Sequence, residues 1–314
     1  MYLLFVIRKQ FTIKKKVLFE GIGLHSGIPV KMTIYPAEKN LGICFVRTDL
    51  KNNPSVNANW SNVVSTNLCT KISNKKGVEI STIEHLMFAL YSLGITNVII
   101  KINAPEVPIM DGSSKIFIEK ILEIGLTEQD QIIKNICIKK PFKIVDGKKF
   151  IEYQPNNKNY LEIDYTLDYK DQFIKKQNFY LQDVQKNFLE IYHCRTFCHQ
   201  EDLEKIFAMG LAKGGSLDNA IVISGSKILN QNGLRCENEF VKHKILDCIG
   251  DIYLSGFFIS GKIICNQGGH ELTLCLLKTI FENQKNYFID NLQKFNNNQT
   301  LNKISNRSAI VSVV

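Results

Sequence analysis

The sequence predicts an α+β protein made of two domains of related plan, and three observations support this class. The chain has 314 residues and is 45% hydrophobic, which is enough to bury two cores of ordinary size. Segments typical of strands and helices alternate in the first half and recur in roughly the same order in the second. The polar stretch TEQDQ at 127–131 is typical of a linker, so the domains are expected at 1–130 and 131–314.

The predicted elements follow from hydrophobic periodicity and from glycine stop signals such as Gly94. In the first half, strands are expected at 31–35, 43–47 and 97–102, and helices at 82–93 and 114–124. In the second half, strands are expected at 136–139, 150–153, 161–167 and 220–223. Helices are expected there at 203–209, around His243, and at 270–284.

Charge and hydropathy exclude two classes of partner. The net charge of +9 comes mainly from lysines spread along the chain, without a basic patch interleaved with aromatic residues, so we expect no nucleic-acid partner. No apolar run approaches the roughly 18 to 20 residues of a membrane span, and the apolar start MYLLFV is much shorter. We expect a cytoplasmic protein with no transmembrane segment, and at most transient contact with a membrane surface.

Cysteine usage indicates a reducing compartment. The nine cysteines are odd in number, are scattered along the chain and include no CxxC pair. Such a pattern is not a disulfide framework. Reduced thiols are therefore expected, most of them buried.

The stretch EFVKHKILDCIGD, residues 239–251, predicts an amphipathic helix with three ligand-type side chains on one face. His243, Asp247 and Asp251 fall opposite its apolar stripe. This polar face is either simply solvated, or half covered because Phe240 and Leu254 lie at its two ends. In the second case, a histidine and an aspartate at i and i+4 can reach one ion, and Zn²⁺ accepts both ligand types.

A third ligand must come from elsewhere, and His85 in STIEHLMFAL is the best candidate among the six histidines. Ser81 and Glu84 match an S-x-x-E capping box, in which Glu84 would serve only the backbone. The alternative is catalytic, because a carboxylate beside a metal-binding histidine accepts the proton of the attacking water in zinc hydrolases. The residues alone leave both roles of Glu84 open.

Six motifs carry a resemblance to a known family. In chain order they are STIEHL, NAPEVPIMDGSS, CRTF, GLAKGGSLDNAIV, NEFVKHKILDCIGD and QGGH. Together they resemble the UDP-3-O-acyl-N-acetylglucosamine deacetylases, the zinc amidases of lipid A synthesis, over nearly the whole chain. The resemblance implies two domains, each a β-sheet with a helical layer. The helical layers would pack against each other, with the active site between the domains.

The resemblance also implies the reaction and the residues that perform it. The N-acetyl group of a UDP-linked, 3-O-acylated glucosamine would be hydrolysed to the free amine and acetate. The implied Zn²⁺ ligands are His85, His243 and Asp247. The implied catalytic residues are Glu84 as general base, His270 as general acid, Asp251 as the partner that orients His270, and Thr196 as a hydrogen-bond donor to the oxyanion.

Substrate contacts are implied in the same way. Lys244 and Phe197 would contact the substrate, and Cys69 would lie close to the metal. An insert in the second domain, at about 197–220, would house the acyl chain in an apolar passage. Its implied lining residues are Leu203, Ala212 and Leu217.

Each implied residue also has a plain structural interpretation. His270 follows two glycines and could simply begin the last helix, and Lys244 could be an ordinary surface lysine. Cys69 could be a small buried hydrophobe. The segment GLAKGGSLDNA could be a glycine-rich turn, and it is not a phosphate-binding loop because no GK[ST] follows.

Two other functions and one further partner stay open at this point. The chain could be a zinc amidase for another acylated amino sugar, or a non-catalytic binding protein with a vestigial metal site. In some members of the resembled family, a membrane-bound ATP-dependent protease grips the C-terminal tail. If the tail is exposed, the protease would contact the apolar residues of RSAIVSVV, 307–314. The alternative is a tail that forms an edge strand or docks on the fold.

Overall fold

The computed structural model describes residues 9–169 and 173–290. The apolar start at 1–6 and the tail at 307–314 lie outside these residues. In the part of the chain that the structure describes, no helix is long and apolar enough to cross a membrane.

The first half of the chain is built around a main sheet of five strands, with helices on one face and further short strands beside it. Its strands are β1 (Lys9–Ile13), β2 (Val17–Ile22), β3 (Pro29–Pro36), β4 (Ile43–Arg47), β5 (Ser55–Asn57), β6 (Val63–Ser65), β7 (Lys71–Ser73), β8 (Glu79–Ile80), β9 (Val98–Ile102) and β10 (Leu126–Ile132). Its helices are α1 (Glu84–Ser92) and α2 (Lys115–Ile124). The main sheet has the order β2-β3-β9-β4-β5, in which only the β4–β9 pair is parallel.

The second half repeats this plan. Its strands are β11 (Asn135–Ile138), β12 (Phe142–Asp146), β13 (Lys149–Gln154), β14 (Leu161–Asp168), β15 (Lys176–Leu181), β16 (Phe197–His199), β17 (Ile221–Ser224), β18 (Lys227–Ile228), β19 (Gly261–Asn266) and β20 (Tyr287–Asp290). Its helices are α3 (Val184–Asn187), α4 (Gln200–Ala208), α5 (Glu239–Ile252) and α6 (His270–Phe281). The main sheet has the order β12-β13-β19-β14-β15, again with one parallel pair, β14–β19. The predicted class, two similarly built α+β halves, is confirmed.

The main-sheet strands form where apolar residues alternate with polar ones. In β3 the side chains of Val30, Met32 and Ile34 are buried, while Lys31 between them is exposed. This period of two is the pattern of a strand with one face on the core. One face of each main sheet is therefore left for helices to cover.

The helices of the two halves pack against each other, with α1 against α5. Every residue of α1 is buried, which explains why this helix has apolar residues all round rather than a single stripe. Gly250 of α5 allows the close approach, because a Cβ there would lie 2.1 Å from the carbonyl oxygen of Glu84. Close packing of these two helices brings the predicted site residues of both halves together.

The prediction of a linker at TEQDQ is wrong. Residues 126–132 form β10, which pairs antiparallel with β1. Polar residues suit this strand because they find polar partners: the Gln129 side chain donates to the carbonyl of Ala37 (2.8 Å) and accepts from Asn97 (2.7 Å). Periodicity of hydrophobic residues cannot reveal such a strand, since its pairing rests on backbone and amide hydrogen bonds.

The cysteines are reduced thiols, as expected, but fewer of them are buried than expected. The buried ones are Cys69, Cys194, Cys248 and Cys265. The partly exposed ones are Cys44, Cys137, Cys198, Cys236 and Cys275. Several of the latter lie on strands or loops with one open side, where a small thiol is readily accommodated.

Candidate metal centre and catalytic site

The polar face of α5 is buried between the two halves of the molecule. The relative exposures of His243, Asp247 and Asp251 are 1%, 5% and 4%. The solvated-face interpretation is therefore wrong. Residues distant in the chain cover this face, among them His85 of α1 and His270 of α6.

Three ligand-type side chains converge at this interface. Oδ1 of Asp247 lies 3.4 Å from Nε2 of His85 and 3.3 Å from Nε2 of His243. The three ligand atoms lie within 4.8 Å of one another. Oδ1 of Asp247 is buried and accepts no hydrogen bond, an arrangement that is costly unless a cation compensates it. These residues fit a metal ion such as Zn²⁺.

The His243 imidazole has the tautomer and the charge state that a metal ligand requires. Its Nδ1 lies 3.0 Å from the carbonyl oxygen of Cys194. Because a carbonyl only accepts, Nδ1 must donate, and the lone pair remains on Nε2 next to Asp247. Burial lowers the pKa of His243 to about 3, so the ring is neutral at physiological pH.

Lys244 is not an ordinary surface lysine. Its side chain is only 24% exposed, and its Nζ donates to Oδ2 of Asp247 at 2.8 Å. Burial opposes ionisation of the Asp247 carboxyl, but neighbouring charges, among them the Lys244 ammonium, outweigh it and hold its pKa well below the ordinary value. Nζ of Lys244 also lies 5.7 Å from the ring centroid of Phe197, at the edge of the site.

The capping-box interpretation of Glu84 is wrong. The residue before α1 is Ile83, in a helical conformation, and its side chain provides no cap. Thr82 has a left-handed φ of 55°, and the Ser81 hydroxyl donates to the carbonyl of Pro105 instead of to the helix. Glu84 is consequently free to accept from the backbone N–H of Thr70 at 3.1 Å.

Glu84 and His270 form a pair of titratable groups beside the metal ligands. Burial raises the pKa of Glu84, which is 3% exposed. Nδ1 of His270 lies 2.7 Å from Oδ2 of Asp251. Burial alone would lower the pKa of His270, but the Asp251 carboxylate and its hydrogen bond raise it to about 9. His270 does begin α6, and it also forms this ion pair.

Thr196 and Phe197 lie where the second half meets the first. The Thr196 N–H donates to the carbonyl of Gly112 at 2.8 Å, and its own carbonyl accepts from Ile221. The ring of Phe197 contacts that of His243 edge to face, with centroids 6.3 Å apart. Both residues line a neighbouring cavity.

Cys69 is a buried, protonated thiol. Burial and the nearby Glu84 raise its pKa to about 12. It does not belong to the group of converging ligand atoms found among the described residues. Its place next to Thr70 puts it at the edge of the site rather than among the ligands.

An apolar cavity of about 350 Å³ adjoins the metal centre. Leu203 of α4 and both Ala212 and Leu217 of the following loop lie on its wall. The remaining lining residues are Leu24, His25, Leu68, Thr196, Phe197, Cys198, Gln200, Ile206, Phe207, Gly215, Ser216, Ala220, Val222 and Leu229. Helix α4 begins three residues earlier than expected, at Gln200, and four of its residues line the cavity.

The glycine-rich segment is a turn, and its glycines also dock it on the other half of the molecule. Gly214 N–H donates to the carbonyl of Leu24 at 3.0 Å, and Lys213 N–H donates to that of His25 at 3.3 Å. A Cβ at position 214 would lie 2.3 Å from the carbonyl oxygen of Gly23, so only glycine fits there. Both halves of the chain therefore build the cavity.

Sequence reasoning missed Thr70 as a site residue. Its N–H binds Glu84, and its hydroxyl donates to Oδ1 of Asp251 at 2.5 Å. One residue thus links the carboxylate of α1 to the pair formed by Asp251 and His270. No motif or period marks Thr70, and only its position beside Cys69 hinted at a role.

A buried set of two histidines and one carboxylate, with a further carboxylate and a protonated histidine beside it, defines a metallohydrolase. More specifically, the chain belongs to the UDP-3-O-acyl-N-acetylglucosamine deacetylase family. The family described as "UDP-3-O-acyl N-acetylglycosamine deacetylase" matches residues 10–282.

Curated relatives with the name UDP-3-O-acyl-N-acetylglucosamine deacetylase are similar to the chain over most of its length. The protein of Haemophilus ducreyi is 46% identical over 279 residues, which cover 88% of this chain and 91% of that protein. The proteins of Histophilus somni and Pasteurella multocida are each 43% identical over 280 residues, with the same coverage.

Proposed function

We propose that this protein is a Zn²⁺-dependent deacetylase that hydrolyses the N-acetyl group of UDP-3-O-acyl-N-acetylglucosamine in lipid A biosynthesis. The products are the free amine and acetate. Membership of the family supports the substrate and the reaction. The observation that carries the metal dependence is the buried Oδ1 of Asp247, which has no hydrogen-bond donor and lies between two imidazole nitrogens.

His85, His243 and Asp247 would hold the ion. When bound in such a site, Zn²⁺ polarises a carbonyl oxygen and lowers the pKa of a coordinated water from about 16 towards 7. The neutral imidazole of His243 and the ionised carboxylate of Asp247 are the protonation states that this binding requires.

The remaining residues of the site move protons and stabilise charge. Glu84 accepts the proton of the attacking water as general base. His270, kept protonated by Asp251, donates a proton to the amine nitrogen as it leaves. The Thr196 hydroxyl donates a hydrogen bond to the oxyanion that develops on the acetyl group.

The cavity beside the metal centre is our proposed site for the acyl chain, with Leu203, Ala212 and Leu217 as lining residues. Its wall is mostly apolar, as a hydrocarbon ligand requires. Lys244 and Phe197 contact the polar part of the substrate at the mouth of the cavity. Cys69 contributes a small, protonated thiol near Glu84.

We also propose how the chain divides into domains and where in the cell it acts. The repeated strand order supports a division into an N-terminal and a C-terminal domain. We propose bounds of about 1–130 and 131–314, and the pairing of β10 with β1 carries the last strand of the N-terminal domain on to Ile132. We place the protein in the cytoplasm. Phe207 and Met209 near the cavity are each 53% exposed and provide apolar surface for transient contact with a membrane that supplies or receives the lipid.

The C-terminal tail is the proposed contact of a membrane-bound ATP-dependent protease. Replacement of Ile310, Val311, Val313 and Val314 by Asp should leave activity unchanged and lengthen the half-life of the protein in a cell that holds such a protease. An unaltered half-life contradicts this role of the tail.

Deacetylation assays with and without a chelator test the proposed function. The purified protein should release acetate from UDP-3-O-acyl-N-acetylglucosamine, lose this activity after dialysis against a chelator, and regain it with Zn²⁺. Turnover that persists in the metal-free protein, or no turnover of this substrate with Zn²⁺ bound, rejects the proposal.

A further inference from the structure

A second cluster of metal-ligand side chains lies outside the catalytic site. His193, Cys194 and Cys236 bring one imidazole nitrogen and two thiol sulfurs within 4.8 Å of one another. The two sulfur atoms are 3.6 Å apart. These side chains have no part in the proposed deacetylation.

One buried carboxylate holds the two cysteines side by side. Glu239, which is fully buried at the start of α5, accepts from the backbone N–H of Arg195 (3.0 Å) and from that of Arg235 (2.6 Å). Arg195 follows Cys194, and Arg235 precedes Cys236. This clamp places the two thiols before any ligand arrives, so little conformational entropy is lost when they bind one.

The separation of the sulfur atoms suits a thiolate-bound metal ion. Two thiolates at about 2.3 Å from Zn²⁺ in tetrahedral geometry stand about 3.8 Å apart, close to the observed 3.6 Å. Nζ of Lys242 lies 3.9 Å from Sγ of Cys236, where a positive charge favours the thiolate.

The cluster is also accessible on one side. Cys194 is fully buried, whereas Cys236 and His193 are partly exposed. An ion can therefore reach the sulfurs from the side of Cys236 and His193, and a water molecule can complete a four-coordinate shell.

We propose that His193, Cys194 and Cys236 form a second metal site, which binds a thiophilic cation of the Zn²⁺ type. Its ligand side chains are distinct from those of His85, His243 and Asp247, although the backbone carbonyl of Cys194 also accepts from Nδ1 of His243. Glu239 holds this backbone independently of a bound ion. The site neither depends on the proposed deacetylation nor supplies a step of it.

Cobalt substitution tests the second site, because Co²⁺ bound by thiolates absorbs strongly in the near ultraviolet and Co²⁺ bound by histidine and carboxylate does not. The reduced, metal-free chain is titrated with Co²⁺ under anaerobic conditions. We expect two ions per chain and the thiolate-to-cobalt absorption. Cys236→Ser should bind one ion, lose the absorption and keep its deacetylase activity with Zn²⁺.

Two further variants distinguish this site from the catalytic centre and from an unrelated thiol. His85→Ala should also bind one fewer ion but retain the thiolate absorption, because the catalytic ligands alone are affected. Cys275→Ser, which removes a partly exposed thiol of α6 outside the cluster, should resemble the wild type. Absence of the absorption in the wild type, or its survival in Cys236→Ser, overturns the proposal.

Discussion

Glu84 and His270 lie 3.9 Å apart, measured from Oε1 to Nε2, in environments that move their pKa values in ways suited to acid–base chemistry. Burial raises the pKa of Glu84 and makes its carboxylate a stronger base. Asp251 more than offsets the effect of burial on His270 and raises its pKa to about 9. These shifts strengthen Glu84 as a base and keep His270 protonated near neutral pH, as the two roles in amide hydrolysis require.

Replacement of Glu84 by Gln tests its role as base. The amide oxygen can still accept from the N–H of Thr70, so folding and metal content should be retained. We expect kcat to fall by about 10²- to 10⁴-fold, because the amide cannot accept the proton of water. Glu119→Gln, at an exposed position of α2 paired with Lys115, is the matched control. A near-normal kcat in Glu84→Gln would show that another group is the base.

The pH dependence tests the pair of His270 and Asp251. The pKa of His270 is raised above its ordinary 6.5, so its proton is lost as the pH rises through about 9, and kcat/KM should fall there. Asp251→Asn removes the anion while burial still lowers the pKa of His270, so this basic limb should move to lower pH. His270→Ala should flatten it.

The acid side of the pH profile depends on Glu84, and a surface carboxylate provides the control. At the acid end the rate should rise with pH as Glu84 ionises, at a pH above its ordinary value of 4.5. Asp164→Asn, a surface carboxylate paired with Lys262, should leave both limbs in place. A basic limb that does not move in Asp251→Asn would mean that His270 is not the acid.

The contact between α1 and α5 sets the geometry of the whole site, because α1 carries Glu84 and His85 and α5 carries the other metal ligands. Gly250 faces the backbone of Glu84 within a space too small for any side chain. Two helices packed this closely transmit any change in spacing directly to the ligand atoms.

Gly250→Ala should separate these helices. The added Cβ would lie 2.1 Å from the Glu84 carbonyl oxygen, so the backbones must shift. Overpacking of this kind costs about 1 to 3 kcal/mol of stability, and we also expect weaker metal binding. Urea unfolding and elemental analysis measure the two effects.

Gly269→Ala is the matched glycine control for this change. That residue is extended, with φ near −176° and nothing within 4 Å of a Cβ, so its stability should change little. Equal stability of Gly250→Ala and Gly269→Ala would disprove the packing argument.

The two halves depend on each other, since the proposed metal site takes His85 from one and His243 and Asp247 from the other. The turn at Gly214 and the cavity wall also join the halves. A bound ion would bridge these contacts and link metal binding to the stability of the assembled protein.

Metal removal should therefore lower the stability of the folded chain. Zn²⁺ present at 100 times its dissociation constant adds about 2.7 kcal/mol to the free energy of unfolding. We expect Tm of the metal-free protein to rise on addition of Zn²⁺, and the rise to be smaller in His85→Ala, in which only the site of His193, Cys194 and Cys236 can still bind the ion. Asp164→Ala should respond as the wild type does. A Tm that is insensitive to Zn²⁺ would argue against a site shared by both halves.

Patterns among residues close together in the chain determined most of the helices and strands of this protein. The alternation in β3 and the apolar stripe of α5 follow from side-chain periodicity, which is a local property. The spacing of His243, Asp247 and Asp251 was visible for the same reason. Most predicted elements therefore appear in the structure, with ends that differ by a few residues.

Tertiary packing decided what these local patterns left open. Whether the polar face of α5 met solvent, and whether Glu84 capped a helix, depended on contacts with segments distant in the chain. The roles of Thr70 and of the strand at 126–132, as well as the cluster of Cys194 and Cys236, arise in the same way. Burial and hydrogen-bond partners are set by the whole fold, so no short stretch of sequence encodes them.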